Sequence, residues 1–296
     1  MTNDEYLQKV LESQNLNEDS KELKDLRARR DEIEGHLRAA FGDSPSIRYG
    51  GSKAKGTLNK DTYDLDMTCY FPRDDEDAGG TVKEIFENVA AELEKHYTVE
   101  RKTSALRVKG LDKVDFHVDV VPGRFIDDNE DDVFLYRSIG EKERLKTNLD
   151  THISHVKDSG VVPAIRLMKL WVFRNAVSLK TFVLELAVID VLDGSTDDVE
   201  EQLTTVLTKF RDNSADIKVE DPANPTGNDL SEVWNDSVRA NVSSVARATL
   251  ATVAVLGWEA VFGKLPEETS DSTAKQVDRL RSAAHASTTA TRPWRR

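Results

Sequence analysis

Apolar residues in the first forty positions recur at the spacing of amphipathic helices. In residues 1–16 the apolar positions of a short helix are Leu7, Val10 and Leu11. A longer stripe follows at Leu23, Leu26, Ile33, Leu37 and Phe41. This stripe predicts a long helix that is capped by Asn17 and ended by Gly42. A coiled-coil partner helix is the alternative, but the stripe is too short to favour it.

Alternating apolar and polar positions in the next hundred residues predict strands with helices between them. One strand is expected within residues 48–72, and three more at residues 97–102, 104–109 and 113–121. A helix between them begins with a capping box, Thr81–Glu84, and its buried stripe is Ile85, Val89 and Leu93. These elements predict a mixed sheet with helices packed on it.

From about residue 141 the pattern turns helical. Helices are predicted at residues 141–157, after Pro163, at 181–192, at 197–211, from a cap at Ser231 towards Trp258, and at 270–285. The tail, residues 286–296, is rich in Ser, Thr and Arg, and we expect it to be disordered. The chain is therefore predicted to be α+β, with a first lobe in residues 1–150, a mostly helical lobe in 151–285 and a cleft between them.

A glycine-rich turn at residues 50–57 precedes two aspartates, Asp64 and Asp66. Glycine lets a backbone approach phosphate oxygens closely, and Ser52 can donate one more hydrogen bond. Residues two apart on a strand face the same side, so the two carboxylates converge. Each feature alone is more often structural, whereas the combination favours a site that binds a metal ion and a nucleotide.

A third carboxylate, Asp119, lies in the predicted strand 113–121. Its apolar face is Val114, Phe116, Val118 and Val120, and its polar face is Asp115, His117 and Asp119. Three carboxylates on two neighbouring strands are what a two-metal phosphoryl-transfer site requires. We expect His117 to border the site or to pair with Asp115, and a ligand role is the alternative.

These motifs resemble a known superfamily. The pattern Gly51-Ser52-x-x-x-Gly56-Thr57, the pair Asp64-x-Asp66 and a strand with Asp119 are similar to the polymerase-beta-like nucleotidyltransferases. Three later stretches, residues 164–171, 179–186 and 221–228, resemble the bacterial relatives of cyclic GMP-AMP synthase and oligoadenylate synthase, the CD-NTase group. The resemblance runs from about Arg48 to Asn228.

The resemblance implies an activity and its site. Residues 1–150 would be the catalytic lobe, braced by the long N-terminal helix, and would join NTPs into a cyclic or short linear oligonucleotide with release of pyrophosphate. Two Mg²⁺ (or Mn²⁺) ions would be held by Asp64, Asp66 and Asp119. Nucleotide contacts are expected from Gly51, Ser52, Lys53, Lys169 and Thr181, where Thr181 replaces the serine that is usual in the family. The resemblance also implies a role in anti-phage defence.

Several of these residues have a plain structural alternative. Lys169 could be a solvated surface lysine, and Lys53 and Lys55 could be solvated residues of the turn. Glu185 is expected to hold Arg166 or a helix N-terminus. Asp221 and Asn224 are expected to shape a turn, with a nucleotide contact as the alternative.

Composition limits the partners and the location of the chain. The net charge of −13 argues against broad nucleic-acid binding, so no stable nucleic-acid partner is expected, although a local basic funnel is compatible with it. The sequence lacks a run of about eighteen apolar residues and a secretory signal, so we expect no membrane association and a cytoplasmic location. The chain is also expected to be a monomer. The resemblance implies that its partners would be NTPs and an operon-encoded effector or regulator. The single Cys69 is expected to be buried.

Three other functions compete with oligonucleotide synthesis. The first is template-independent addition of nucleotides to an RNA 3′ end, against which the acidic charge counts. The second is nucleotidylation of a protein partner. The third is a nucleotide-binding module without catalysis, which the presence of all three aspartates disfavours.

Overall fold

The computed structural model describes residues 1–16, 19–62, 65–110, 117–140 and 142–265. Met1–Phe262 forms one compact unit. The predicted helix at 270–285 and the tail at 286–296 lie outside the described residues. Within the described ranges, no helix is both long enough and apolar enough to cross a bilayer. The division into two lobes near residue 150 stays a prediction.

Two N-terminal helices match the predicted stripes. Helix α1 spans Asn3–Ser13 and α2 spans Lys21–Phe41, and Gly42, with a φ of 65°, ends α2 as predicted. The predicted N-cap Asn17 is wrong: Ser20 caps α2, because its hydroxyl accepts a hydrogen bond from the Leu23 backbone N–H at 3.3 Å. Asn17 itself lies outside the described residues.

The centre of the unit is a seven-stranded mixed sheet. Its strands are β1 (Ser46–Tyr49), β2 (Leu65–Phe71), β3 (Thr98–Arg101), β4 (Leu106–Lys109), β5 (His117–Phe125), β6 (Val133–Tyr136) and β7 (Arg144–Thr147). The order is β1-β2-β5-β4-β3. β6 pairs with the C-terminal end of β5, and β7 pairs with β6. Only β2 and β5 pair in parallel among these described strands. The predicted α+β fold with a mixed sheet is confirmed.

One face of the sheet is covered by α2 and by α4 (Val82–Glu94). The predicted capping box of α4 forms, and its predicted apolar stripe is buried. The main core consists of Ile33, Leu37, Met67, Cys69, Phe71, Ile85, Phe86, Val89, Leu93, Val118 and Val120, together with smaller neighbours. Burial raises the pKa of the Cys69 thiol to about 12, so this thiol is a packing residue.

The second half of the unit is helical from residue 149 onwards. The helices are α5 (Leu149–Lys157), α6 (Val162–Arg174), α7 (Thr181–Val191), α8 (Val199–Asn213), α9 (Asp236–Leu256) and α10 (Glu259–Phe262), after the short α3 (Gly51–Ala54) of the first half. Pro163 lies in the first turn of α6 as predicted.

Two predicted boundaries are wrong in this half. The helix predicted at 141–157 begins only at Leu149, because Arg144–Thr147 pairs with β6 as an edge strand. The strand Val133–Tyr136 had not been predicted. Helix α9 is capped by Asn235 and not by Ser231, since the Asn235 side chain accepts a hydrogen bond from the Val238 N–H at 3.0 Å.

Gly123 on β5 gives a direct test of the packing between β2, β5 and β6. A Cβ at this position would lie 2.6 Å from Val133 Cγ1 and 2.8 Å from Leu135 Cδ2. We therefore expect Gly123→Ala to lower the free energy of unfolding by about 1–3 kcal/mol, measured by chemical denaturation. Gly35→Ala, at an exposed position of α2 where the new Cβ would meet nothing within 4 Å beyond its chain neighbours and the helix's own backbone, is the control and should be neutral or stabilising. Equal stability of both variants would contradict this packing.

Candidate active site

The glycine turn lies directly against the carboxylate of Asp66. Gly51 has a φ of 65°, and a Cβ there would lie 1.8 Å from Asp66 Oδ2. The backbone N–H of Gly50 also donates to the carbonyl oxygen of Asp66 at 3.1 Å. A side chain at position 51 would therefore collide with the carboxylate, and only glycine permits this approach.

Asp66 and Asp119 lie side by side on neighbouring parallel strands. They are register partners in the β2–β5 ladder, so their strands run about 4.8 Å apart at this point. Side chains at paired positions face the same side, and the core residues Met67 and Val120 face the other side. His117 shares the face of Asp119 by the same alternation. Asp64 lies outside the described residues, and its place beside Asp66 stays a prediction.

Two cations, Lys102 directly after β3 and Arg107 on β4, hold the carboxylate of Asp119. Lys102 Nζ donates to it at 2.7 Å, and Arg107 donates through Nε at 2.9 Å and Nη2 at 3.0 Å. Burial alone raises the pKa of this carboxyl group, but the hydrogen bonds from Arg107 and Lys102 outweigh it and the pKa is lowered. Neither cation is predicted by the sequence motifs. Arg107 could have been found from the antiparallel register with Asp119, once β4 and β5 were known to pair.

Lys169 on α6 is a buried residue that holds the glycine turn. It is 6% exposed, and its ammonium group donates to Ser52 Oγ at 2.6 Å and to the carbonyl oxygen of Thr57 at 2.9 Å. The alternative of a solvated surface lysine is therefore wrong. Lys53 and Thr181 are exposed, at the turn and at the start of α7.

Glu185 on α7 forms a second buried contact with the turn. It accepts hydrogen bonds from Lys55 Nζ at 2.7 Å and from Thr57 Oγ1 at 3.1 Å, and its side chain is 1% exposed. The predicted partner Arg166 is wrong, because its guanidinium donates to Asn59 Oδ1 at 3.1 Å instead. Lys55, which could have been a solvated residue of the turn, is instead half-buried and paired with Glu185.

The loop after α8 has the predicted turn structure. The Asp221 carboxylate accepts hydrogen bonds from the Ala223 N–H at 2.9 Å and from Asn228 Nδ2 at 2.7 Å. It also lies 2.7 Å from His152 Nε2 on α5. Asn224 donates to the carbonyl oxygen of Lys146 on β7 at 3.1 Å. Both residues thus shape the loop and attach it to neighbouring elements.

The residues fit a hard divalent cation. Asp66 and Asp119 present carboxylate oxygens, the ligands that Mg²⁺ and Mn²⁺ prefer, on one side of the sheet. Within the described ranges, which omit Asp64, no group of three or more His, Cys, Asp or Glu residues could hold a metal ion. Lys102 and Arg107 neutralise Asp119 here, so a bound ion would compete with them for its oxygens.

Loss of the Glu185 carboxylate would leave Lys55, whose side chain is 12% exposed, without its ion-pair partner. We expect Glu185→Ala to lower the free energy of unfolding by about 3–5 kcal/mol in chemical denaturation. The matched control is Glu94→Ala, which breaks an exposed ion pair with Arg101 and should cost less than about 1 kcal/mol. A cost at position 185 no larger than that at position 94 would contradict this role.

The lowered pKa of Asp119 predicts a pH-dependent contribution to stability. Its unfolded-state pKa is about 3.9, so the stabilisation is present above that pH and is lost as the pH falls through the folded-state pKa. The difference in unfolding free energy between wild type and Asp119→Asn should therefore shrink between about pH 6 and about pH 3. Asp43→Asn, at an exposed position after α2, is the control. A difference that is constant or grows on acidification would contradict the prediction.

Comparison with known proteins places the fold. No protein-family profile matches the chain, and no curated protein sequence matches it. Several solved structures, in contrast, match the chain along most of its length. Vibrio cholerae DncV, a cyclic AMP-GMP synthase, is 16% identical with a TM-score of 0.69, over 90% of this chain and 97% of that one.

Two further solved structures are similar along most of their length. Bradyrhizobium diazoefficiens CdnG, a CD-NTase in complex with GTP, is 13% identical with a TM-score of 0.67, over 96% of this chain and 98% of that one. Escherichia coli MS115-1 CdnC, solved with ATP, is 19% identical with a TM-score of 0.66, over 90% and 99%. The chain therefore has the fold of the bacterial CD-NTases, the cyclic GMP-AMP synthase-like nucleotidyltransferases.

Proposed function

We propose that the chain is a metal-dependent nucleotidyltransferase that joins NTPs into a cyclic or short linear oligonucleotide and releases pyrophosphate. The observation that carries the proposal is the contact of the Gly51 turn with Asp66, in register with Asp119 on the next strand. Structures with this fold include a cyclic AMP-GMP synthase and the Elizabethkingia meningoseptica cyclic dinucleotide synthase CdnE, solved with GTP. These likenesses support the proposed reaction class.

The glycine turn would bind the phosphates of the donor nucleotide. Its backbone N–H groups and the Ser52 hydroxyl are hydrogen-bond donors beside Asp66. The Lys169 ammonium group, 2.6 Å from Ser52 Oγ, adds a buried positive charge at the same place. Because a hydrogen bond to the carbonyl oxygen of Thr57 already holds the Lys169 side chain in place, this side chain would lose little conformational entropy when phosphate binds. Lys53 and Thr181 are proposed as further, more exposed contacts.

Asp64, Asp66 and Asp119 would hold the divalent ions, two Mg²⁺ or Mn²⁺. Such ions neutralise charge on the attacking and leaving oxygens of phosphoryl transfer. The lowered pKa of Asp119 keeps its carboxylate ionised and makes it a weak proton acceptor. Its main contribution would then be negative charge and orientation at the acceptor hydroxyl. Lys102 and Arg107 would hold this carboxylate in position before substrate binds.

The resemblance to the CD-NTases also supports proposals about the two lobes and about the role of the chain in the cell. The catalytic lobe would be residues 1–150 and the helical lobe residues 151–285, with the donor between them. The Lys169 and Glu185 contacts connect helices of the second part to the turn of the first. We further propose that the chain acts as a cytoplasmic monomer in anti-phage signalling, with an operon-encoded effector or regulator that responds to its product.

The direct test is incubation of the purified chain with four radiolabelled NTPs and Mg²⁺ or Mn²⁺. We expect a phosphatase-resistant product on chromatography, and omission of single NTPs would identify its bases. Asp66→Asn and Asp119→Asn should each lower product formation about 100-fold or more, since each removes charge that stabilises the transition state. Asp43→Asn, an exposed carboxylate away from the site, should retain the activity.

Other outcomes would separate the competing functions. Labelling of added tRNA in place of free NTP coupling would favour nucleotide addition to an RNA 3′ end. Labelling of a protein in a lysate of phage-infected cells would favour protein nucleotidylation. Product formation that is equal in wild type and both active-site variants would contradict the assigned site.

A further inference from the structure

A cavity of 1120 Å³ lies on the sheet face opposite to the catalytic carboxylates. It is bounded by the start of α4, by the row of β5, β6 and β7, and by the loop at Asn224. Arg124 lines it from β5, five residues after Asp119. Residues five apart on a strand face opposite sides and lie about 17 Å apart along it. The cavity is thus separate from the site at Asp66 and Asp119.

The lining of this cavity is strongly basic although the chain carries a net charge of −13. Among the described lining residues Glu143 is the one acidic residue. The cationic lining residues are Arg73, Lys83, Arg124, Lys142, Arg144 and Lys146. Such a concentration of one sign in a concave surface attracts anions.

Three of these cations already have partners. Arg124 donates to the carbonyl oxygens of Gly79 at 2.5 Å and Gly80 at 3.1 Å. Lys146 pairs with Asp132 at 2.5 Å, and Arg73 lies 3.9 Å from Asp74.

The other three cations of the cavity lack such partners. Lys83, Lys142 and Arg144 form no ion pair with any residue that the structure describes. Lys83 and Lys142 are exposed, and Arg144 is exposed on edge strand β7. These three cations are therefore available to an anionic ligand.

Aromatic rings accompany the cations. Phe134 and Tyr136, both on β6 and half-buried, line the cavity beside their register partners Lys146 and Arg144. The Arg144 guanidinium lies 4.6 Å from the centre of the Phe134 ring. Flat rings and guanidinium planes are the groups on which nucleobases stack, and stacking tolerates any base.

We propose that this cavity binds a nucleotide, with its phosphates on Lys83, Lys142 and Arg144 and its base against the β6 aromatic rings. Phosphate alone would need only the cations, and an apolar ligand only the rings, whereas a nucleotide uses both. A nucleotide bound here is too far from Asp119 to react. The site is therefore a second, non-catalytic one, for an NTP or an oligonucleotide, and binding to it does not depend on the proposed synthesis.

The test is equilibrium dialysis of the full chain in EDTA, because the cavity would bind phosphate through side-chain cations without divalent ions. The probes are ATP, a cyclic dinucleotide and inorganic tripolyphosphate. The Lys83→Ala/Arg144→Ala variant should bind nucleotide in this cavity about tenfold more weakly or worse. At a ligand concentration that fills the cavity in the wild type, this weaker binding is measured as the loss of one bound equivalent. The control variant, Lys209→Ala/Arg211→Ala on α8, removes two cations outside the cavity and should bind as wild type does.

The outcomes distinguish this proposal from its alternatives. Tighter binding of ATP marks the site as one for an NTP, and tighter binding of the cyclic dinucleotide marks it as one for an oligonucleotide. Equal binding of tripolyphosphate would overturn the assignment to a nucleotide. Unchanged binding by the Lys83→Ala/Arg144→Ala variant, with thermal unfolding confirming that both variants fold, would overturn the site itself. Both results stand whether or not the synthesis assay succeeds.

Discussion

The close approach of the Gly51 turn to the Asp66 carboxylate is the constraint on which the rest of the site depends. A backbone this near to a carboxylate excludes any Cβ at position 51 and brings N–H and hydroxyl donors next to negative charge. Phosphate and divalent ions are complementary to that pairing, because the donors bind the anion and the carboxylates bind the cation. The parallel pairing of β2 and β5 then adds Asp119 at the same level.

Buried charges keep the turn in this position. Lys169 and Glu185 are almost fully buried, and each contacts Thr57, which is fully buried between them. Burial of a charge is costly unless it is paired and hydrogen-bonded, so these contacts are sensitive to the arrangement of α6 and α7. The same reasoning applies to Asp119, which two cations hold ionised. The charged groups of this region are thus held in place by contacts within the chain itself.

The alternation of side chains along the strands places the carboxylates and the basic cavity on opposite faces of the sheet. One face carries the carboxylates, and the other face carries the main core and, beyond it, the basic cavity at β5, β6 and β7. An acidic chain can therefore present one locally positive surface without placing it beside the carboxylates of the candidate site. β6 and β7 have four residues each, which is too short for a periodic pattern to predict them, although they line this cavity.

The sequence by itself determined the local elements and the motif of the candidate site. The stripes of α2 and α4, the capping box at Thr81, the mixed sheet and the glycine turn all follow from periodicity and from the conformational freedom of glycine. Only the tertiary structure decided that Lys169 and Glu185 meet at Thr57 and that Lys102 and Arg107 hold Asp119. Such contacts join residues far apart in the chain, and they depend on strand pairing and helix packing, for which the spacing of residues along the sequence carries no signal.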